Sequence, residues 1–147
     1  MADKIIIGSD HAGYPLKEDL KKFLEKKKIP YEDAGVFNKK PSDYPDIAFK
    51  VAKEVASGKG KGILICGTGT GMVIAANKVK GIRAALAYDN YSAKKAKEDN
   101  NTNILCLRGR FFSHDTAKKV VSTWMKTKFS GETRHKRRIN KISRFEK

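Results

Sequence analysis

The run from Ile63 to Lys78 constrains the fold of this chain more than any other stretch. Three branched aliphatic residues precede Cys66, glycines stand at positions 67, 69 and 71, and an apolar, alanine-containing stretch resumes at Met72. Aliphatic runs of this kind form buried strands, whereas Met and Ala favour helix. The run therefore predicts a buried strand, a glycine turn and a helix, with Cys66 at the end of the strand.

The rest of the chain repeats this alternation of short aliphatic segments with amphipathic ones. Strands are predicted at residues 4–8, 29–35, 63–66, 83–89 and 104–107. Helical spacing of apolar residues predicts helices that begin near Pro15 and Pro45, a short helix over 91–99, and one that contains Trp124. The pattern predicts an α/β fold, a doubly wound five-stranded parallel sheet covered by helices on both faces.

A last, basic helix is predicted at residues 134–145, where the only apolar residues are Ile139, Ile142 and Phe145. Its apolar face is too small for a central core helix, so it lies across the domain edge or docks on a second subunit. The length of 147 residues predicts a single domain over residues 1–147.

The net charge of +16, from 32 basic against 16 acidic residues, allows nucleic acid, acidic membranes or anionic metabolites as partners. Most of the scattered lysines fit a solvated surface. No segment resembles a signal peptide or reaches the roughly 18 to 20 apolar residues of a membrane helix, so we expect a cytoplasmic protein without a membrane partner. The two cysteines lack the spacing of metal ligands, and we expect no metal site.

The glycine loop first suggests a nucleotide site, but its fingerprints are incomplete. Position 72 is Met, which breaks the pattern G-x-G-x-x-G, and no Gly-Lys pair is followed by Ser or Thr. Asp89 lies about 20 residues on, where a ribose-binding acid stands in dinucleotide folds. The alternatives that remain are an anion-binding loop and a turn that only joins a strand to a helix.

The two cysteines have different predicted roles. Cys106 lies inside an aliphatic strand and is predicted to be a small core residue. Cys66 could be the same, but its place before the glycine turn allows backbone N–H groups to stabilise a thiolate and a charge that develops on a substrate. The Thr68 hydroxyl is placed to hold a substrate oxygen, unless it is only a turn residue.

Further ionisable residues are expected at the carboxyl ends of the strands, where such sheets bind ligands. Asp10 and His11 follow the first strand, as ligand contacts or as a helix cap and a solvated loop residue. Arg134 and Arg138 are one helical turn apart and suit a phosphate monoester. The alternatives for these arginines are a solvated basic tail and a nucleic-acid contact.

Together these motifs resemble the type B ribose-5-phosphate isomerases and their relatives, the galactose-6-phosphate and allose-6-phosphate isomerases. The resemblance spans almost the whole chain and rests on Gly8-Ser-Asp-His-Ala-Gly13, Ser42-Asp-Tyr-Pro45, Ile65-Cys-Gly-Thr-Gly-Thr-Gly71, Ile74-Ala-Ala-Asn-Lys78, Gly81-Ile-Arg-Ala84, Asn100-Asn-Thr-Asn103 and Arg134-His-Lys-Arg-Arg138. It implies a Rossmann-like sheet, no metal or other cofactor, and a homodimer or homotetramer with active sites shared between subunits.

The implied reaction interconverts D-ribose 5-phosphate and D-ribulose 5-phosphate through an enediolate, a step of the pentose phosphate pathway. An isomerase of a six-carbon sugar phosphate is the alternative. A nucleic-acid-binding protein on the same fold is disfavoured, because the sequence has no reading motif or aromatic platform, and we expect no specific nucleic-acid partner.

The resemblance also implies roles for individual residues. Cys66 is the base that moves a proton between C1 and C2, and Thr68 acts at the ring-opening and enediol stage. The other substrate contacts are Asp10 and Tyr44 at the sugar hydroxyls and ring oxygen, Gly67, Gly69, Thr70 and Gly71 in the loop, Asn100 from the partner subunit, Arg110, and His11, Arg134 and Arg138 at the phosphate. Asp99 stands where many members of the family have the ring-opening histidine. Asp99 takes over that step if burial raises its pKa, or Asp10 acts instead.

Overall fold

The chain folds around one parallel sheet in the computed structural model, which describes residues 4–146. The strands are β1 (Ile5–Ser9), β2 (Tyr31–Asp33), β3 (Lys61–Cys66), β4 (Ala84–Leu86) and β5 (Ile104–Arg108). The helices are α1 (Tyr14–Lys26), α2 (Tyr44–Ala56), α3 (Thr70–Ala76), α4 (Asn90–Glu98), α5 (His114–Lys126) and α6 (Thr133–Phe145). The predicted α/β class and the five parallel strands are confirmed. Within residues 4–146, no helix is long and apolar enough to cross a bilayer.

The strand order is β2-β1-β3-β5-β4, and this order alone indicates where a ligand site is expected. From β1 the chain moves to β2 on one side, whereas β3 pairs on the other side of β1. Ligands of such sheets bind outside the carboxyl ends of the strands where the order changes direction. Here that point lies between the ends of β1 and β3, next to Asp10 and Cys66.

Alternate residues of the central strands feed two apolar cores. Ile5, Ile63 and Leu105 face the core formed with α1, α4 and α5, where Trp124 is fully buried. Ile6, Leu64 and Ile104 face the core formed with α2 and α3, to which both cysteines belong. The helices on both faces explain the continuous aliphatic runs that predicted buried parallel strands.

The fourth strand is shorter than its predicted range of 83–89 and ends at Leu86. Beyond it the backbone N–H of Tyr88 bonds the Ser92 hydroxyl, and Asp89 caps α4 by accepting from the Ser92 N–H. That backbone hydrogen bond is the main reason why the pKa of Asp89 is lowered. Asp89 is therefore a helix cap.

Helix α6 lies beside β4, at the edge of the sheet. Most of its side chains are exposed, and His135 is its only buried residue. A groove of about 620 Å³ separates α6 from the segment 82–85, with Ile139, Ile142 and Phe145 on its helical wall. The edge position is one of the two places that the sequence allowed for this helix.

Candidate active site

Cys66 ends β3 with its sulfur held by the glycine loop. The side chain is 4% exposed, and the backbone N–H of Gly69 donates to Sγ over 3.2 Å. Gly69 adopts φ +83°, and a Cβ at this position would lie 2.5 Å from Leu86 Cδ1. Only glycine satisfies both demands, and the turn it permits aims a donor that stabilises negative charge on the sulfur.

Cys106 is placed differently, although both thiols belong to the same apolar core. It is fully buried in the middle of β5, and this burial strongly raises the pKa of its thiol, with a smaller contribution from the charge of Cys66. A neutral thiol in a closed core is a packing residue.

Three loops meet around Cys66 because their glycines allow close backbone contact. A Cβ at Gly13 would lie 2.5 Å from the Ile65 carbonyl oxygen, and one at Gly109 would lie 2.7 Å from the Ala12 oxygen. The Gly109 N–H donates to the Cys66 carbonyl over 2.8 Å. The loops that follow β1, β3 and β5 are thereby locked together.

Two large side chains lie against the glycine loop. The guanidinium group of Arg110 covers Gly67, where a Cβ would lie 2.9 Å from Nη1. The ring of Tyr44, the first residue of α2, covers Gly71, where a Cβ would lie 2.5 Å from two ring carbons. The loop glycines therefore make room for a cation and a phenol beside the thiol.

Asp10 and His11 follow β1 at the mouth of the same site. Asp10 is almost buried, and its Oδ1 accepts the Gly13 N–H over 2.9 Å. It braces the turn before α1 and is not the N-cap, since that position is Gly13 without a side-chain cap. His11 is tied to Ser42, because the Ser42 N–H donates to Nδ1 and the His11 N–H donates to the Ser42 hydroxyl, each over 3.1 Å.

Hydrogen-bond donors remain available in the loop. The Thr70 N–H donates to Thr68 Oγ1 over 3.2 Å, which leaves the Thr68 hydroxyl hydrogen free to bond a ligand. Among the described residues, the N–H groups of Gly67 and Thr68 donate to no backbone acceptor. The Gly71 N–H lies in the first turn of α3, where helical partners are lacking.

The glycine-loop group is the set that the structure brings together: Asp10, His11, Tyr44, Cys66, Gly67, Thr68, Gly69, Thr70, Gly71 and Arg110. The other predicted residues, Asp99, Asn100, Arg134 and Arg138, form the α6 group near the β4 edge. No hydrogen bond or ion pair between residues 4 and 146 joins the two groups.

In the α6 group, the Asp99 carboxylate lies 3.6 Å from His135 Nε2, and His135 Nδ1 bonds Ser130 Oγ at 2.6 Å. Arg134 pairs with Glu132 at 2.8 Å. The side chain of Asp99 is 37% exposed, so one copy of the chain lacks the burial that the ring-opening interpretation of Asp99 requires. Sequence patterns did not predict that His135 lies next to Asp99. The position of His135 beside Arg134 in the basic motif could have indicated a role near the site.

Lys17 was also missed, because sequence reasoning assigned scattered lysines to the surface. It is fully buried and donates to both oxygens of Asp33, at 2.7 and 2.8 Å, and to the Val36 carbonyl at 2.7 Å. Burial alone would raise the pKa of Asp33, but hydrogen bonds from Lys17 and Lys21 outweigh it and lower that pKa. This cluster fixes the segment 33–36 against the end of β1, where Ser9 donates to the Gly35 carbonyl.

The chain matches a family model described as ribose/galactose isomerase over residues 5–142. It is 48% identical to the putative sugar phosphate isomerase YwlF of Bacillus subtilis, with 97% of each chain covered. It is 40% identical to D-erythrulose-4-phosphate isomerase 2 of Mycolicibacterium smegmatis, with 99% of each covered. A structure of Mycoplasma genitalium ribose-5-phosphate isomerase B with bound ribulose-5-phosphate superposes with a TM-score of 0.93, at 44% identity, and covers 99% of this chain and 97% of that one.

Proposed function

This chain belongs to the ribose/galactose isomerase family, and on that premise we propose that it interconverts D-ribose 5-phosphate and D-ribulose 5-phosphate. The observation that carries the proposal is the hydrogen bond from Gly69 to the Cys66 sulfur at the switch point of the sheet. The M. genitalium relative with bound ribulose-5-phosphate supports the choice of substrate.

In the proposed reaction, the Cys66 thiolate is the base. The C2 proton of the open-chain aldose moves to sulfur, the C–H electron pair forms the C1–C2 double bond, and the carbonyl electrons move to O1. The thiol then returns a proton to C1, while the O2 proton is transferred to O1 and the C2 carbonyl forms. A positioned base contributes roughly 10²- to 10⁴-fold to such a step.

Charge that develops on the oxygens of the enediolate requires donors fixed in advance. The free N–H groups of Gly67, Thr68 and Gly71 and the Thr68 hydroxyl supply them in this proposal. Asp10 and Tyr44, which flank the loop, contact the sugar hydroxyls and the ring oxygen.

The phosphate binds at the opposite end of the substrate, to His11 and Arg110 of one copy and to Arg134 and Arg138 of another. The separation of the α6 group from the glycine-loop group within one chain supports a site shared between two subunits. The apolar side of α6 supports it as well, because Phe145 is 90% exposed beside the open groove. Asn100 also reaches the partner's site in this arrangement.

Ring opening is assigned to Asp99 or Asp10. Asp99 acts on the ring if the partner subunit covers it, because its side chain would then be less exposed than it is in a single copy of the chain. Asp10 follows β1 next to the end of β3 and is already almost buried. An Asp99→Asn variant tests the choice, because it would slow the isomerisation of ribose 5-phosphate only if Asp99 acts on the ring.

A four-carbon substrate is the second candidate, and the M. smegmatis relative favours it. The phosphate of a tetrose 4-phosphate occupies the oxygen that would close a furanose ring, so this substrate is always open and needs no ring-opening group. An aspartate at position 99 suits such a substrate. The description of the family also names galactose, so six-carbon sugar phosphates stay as alternative substrates.

The deciding experiment compares kcat/KM for D-ribose 5-phosphate, D-erythrulose 4-phosphate, D-allose 6-phosphate and D-galactose 6-phosphate. We expect ribose 5-phosphate to give the highest value. A higher value for another sugar phosphate would move the substrate assignment to it. Turnover of none of the four would contradict the proposed isomerase.

A further inference from the structure

We propose that Ser42 is a positioning residue that fixes the ring tautomer of His11, so that Nε2–H is the donor presented to the substrate phosphate. The identity of the anion rests on the proposed function. The tautomer itself rests only on the geometry of the two residues.

Two loops are joined by this contact. His11 follows β1, whereas Ser42 lies just before α2, and 31 positions separate them in the chain. The His11 N–H donates to Ser42 Oγ and the Ser42 N–H donates to His11 Nδ1, each over 3.1 Å. Both backbone donors are used, so the pair closes a ring of hydrogen bonds that sets the position of the imidazole.

The tautomer follows from the chemistry of the donors. A backbone N–H can only donate, so Nδ1 must offer a lone pair to Ser42. The Ser42 hydroxyl, 3.4 Å from Nδ1, accepts from the His11 backbone and can also direct its hydrogen to the ring. A proton on Nδ1 would face the Ser42 N–H, so the neutral ring carries its proton on Nε2.

The other ring nitrogen is open to a ligand. Between residues 4 and 146, Nε2 of His11 makes no hydrogen bond or ion pair. His11 is only half-buried, and it follows Asp10 at the carboxyl end of β1, beside the end of β3. The arginines supply charge to the phosphate, and His11 supplies a single directed donor from a fixed ring.

The first test is nitrogen NMR of protein labelled with ¹⁵N-histidine, which contains only three histidines. The His11→Gln variant identifies the His11 signals by their loss. We expect a protonated Nε2 and an unprotonated Nδ1 in the free protein above neutral pH, and a shift of the Nε2–H signal when inorganic phosphate is added. A protonated Nδ1, or an Nε2–H signal that phosphate leaves unchanged, would overturn the proposal.

The second test uses two amides that mimic the two ring nitrogens. Glutamine can place its NH₂ near the position of Nε2, whereas asparagine reaches only the position of Nδ1. We expect His11→Asn to raise KM for ribose 5-phosphate about tenfold or more, the value of one hydrogen bond to a charged group, and His11→Gln to raise it less. Asparagine binding the substrate better than glutamine would contradict the assignment.

The third test addresses Ser42 directly. Ser42→Ala removes the acceptor for the His11 N–H but keeps the Ser42 N–H that bonds Nδ1, so we expect a KM several-fold higher with kcat little changed, because one of the two 3.1 Å hydrogen bonds that hold the imidazole is lost. Ser42→Thr keeps the hydroxyl and should restore KM. An unchanged KM in Ser42→Ala, or a fall in kcat instead, would overturn the positioning role. If no sugar phosphate is turned over, the proposed function fails, and the NMR result still decides the tautomer.

Discussion

The glycine-loop group and the α6 group differ in burial, in backbone hydrogen bonding and in how closely their residues pack. The glycine-loop group is held by backbone hydrogen bonds and by contacts so close that only glycine fits, as at Gly69 and Gly71. In the α6 group, Arg134 and Arg138 are exposed, the Asp99 side chain is 37% exposed, and Asn100 lines the open groove beside an edge strand. One group is fixed by contacts within its own chain, and the other leaves most of its side chains exposed.

The chemistry proposed for each group explains this difference. Proton transfer at carbon needs a base and donors placed within a few tenths of an ångström, which rigid, buried loops provide. A phosphate needs charge and reach, which long exposed arginines provide. The comparison predicts that substitutions of Cys66 and of the loop residue Gly69 change kcat, and that substitutions of Arg134 and Arg138 change KM.

The largest effect is expected from Cys66→Ala. We expect turnover to fall about 10³-fold or more, because the base is lost, while the chain stays folded and phosphate binding changes little. Steady-state kinetics and thermal unfolding measure both. Cys106→Ala is the matched control. It should lower stability by about 1 to 2 kcal/mol through its cavity and leave kcat unchanged. Full activity in Cys66→Ala would show that the thiol is not the base.

Gly69→Ala should follow in size. A side chain at φ +83° is strained and would meet Leu86, so we expect the donor to Cys66 to move and kcat to fall about 10²-fold. Gly58→Ala is matched in backbone, with φ +89° but no atom within 4 Å of the added Cβ. It should cost about 1 kcal/mol in stability and nothing in kcat. Equal kcat losses in both variants would show that the loop contact has no special role.

Arg138→Ala tests the α6 group and should act on KM. We expect KM for ribose 5-phosphate to rise about tenfold with a smaller change in kcat, because an arginine–phosphate contact is lost. Lys136→Ala, on the same exposed helix, should leave both constants unchanged. If Arg138→Ala lowers only kcat, Arg138 does not act through phosphate binding as proposed.

Asp33→Asn should affect stability and leave catalysis almost unchanged. It removes the closer of the two carboxylates that pair with the buried Lys17 and leaves only Glu18, at 3.5 Å, so we expect a loss of about 2 kcal/mol in the free energy of unfolding at neutral pH. Because folding lowers the pKa of Asp33, the stability it contributes is present above about pH 4 and is lost as pH falls through the lowered pKa. Denaturant unfolding at pH 7 and pH 3 checks this, and a pH-independent difference would contradict it.

Sequence patterns predicted the fold well because buried parallel strands and helix-start prolines are local signals. The segment 63–66 and Pro45 lie where the pattern placed them. The predicted end of β4 was wrong, because capping of α4 by Asp89 competes with strand pairing at the edge of the sheet. The contacts of Ser42 and Lys17 could not be predicted, because each joins residues far apart in sequence through one hydrogen bond or ion pair.

Two inactive variants mixed in one oligomer test the shared site most directly. One carries Cys66→Ala, and the other carries Arg134→Ala with Arg138→Ala. Each alone should be nearly inactive at low substrate concentration. Co-expressed chains should recover about one quarter of wild-type activity, since half of randomly assorted dimers contain one intact site. Activity no higher than the sum of the separate variants would contradict a site built from two subunits.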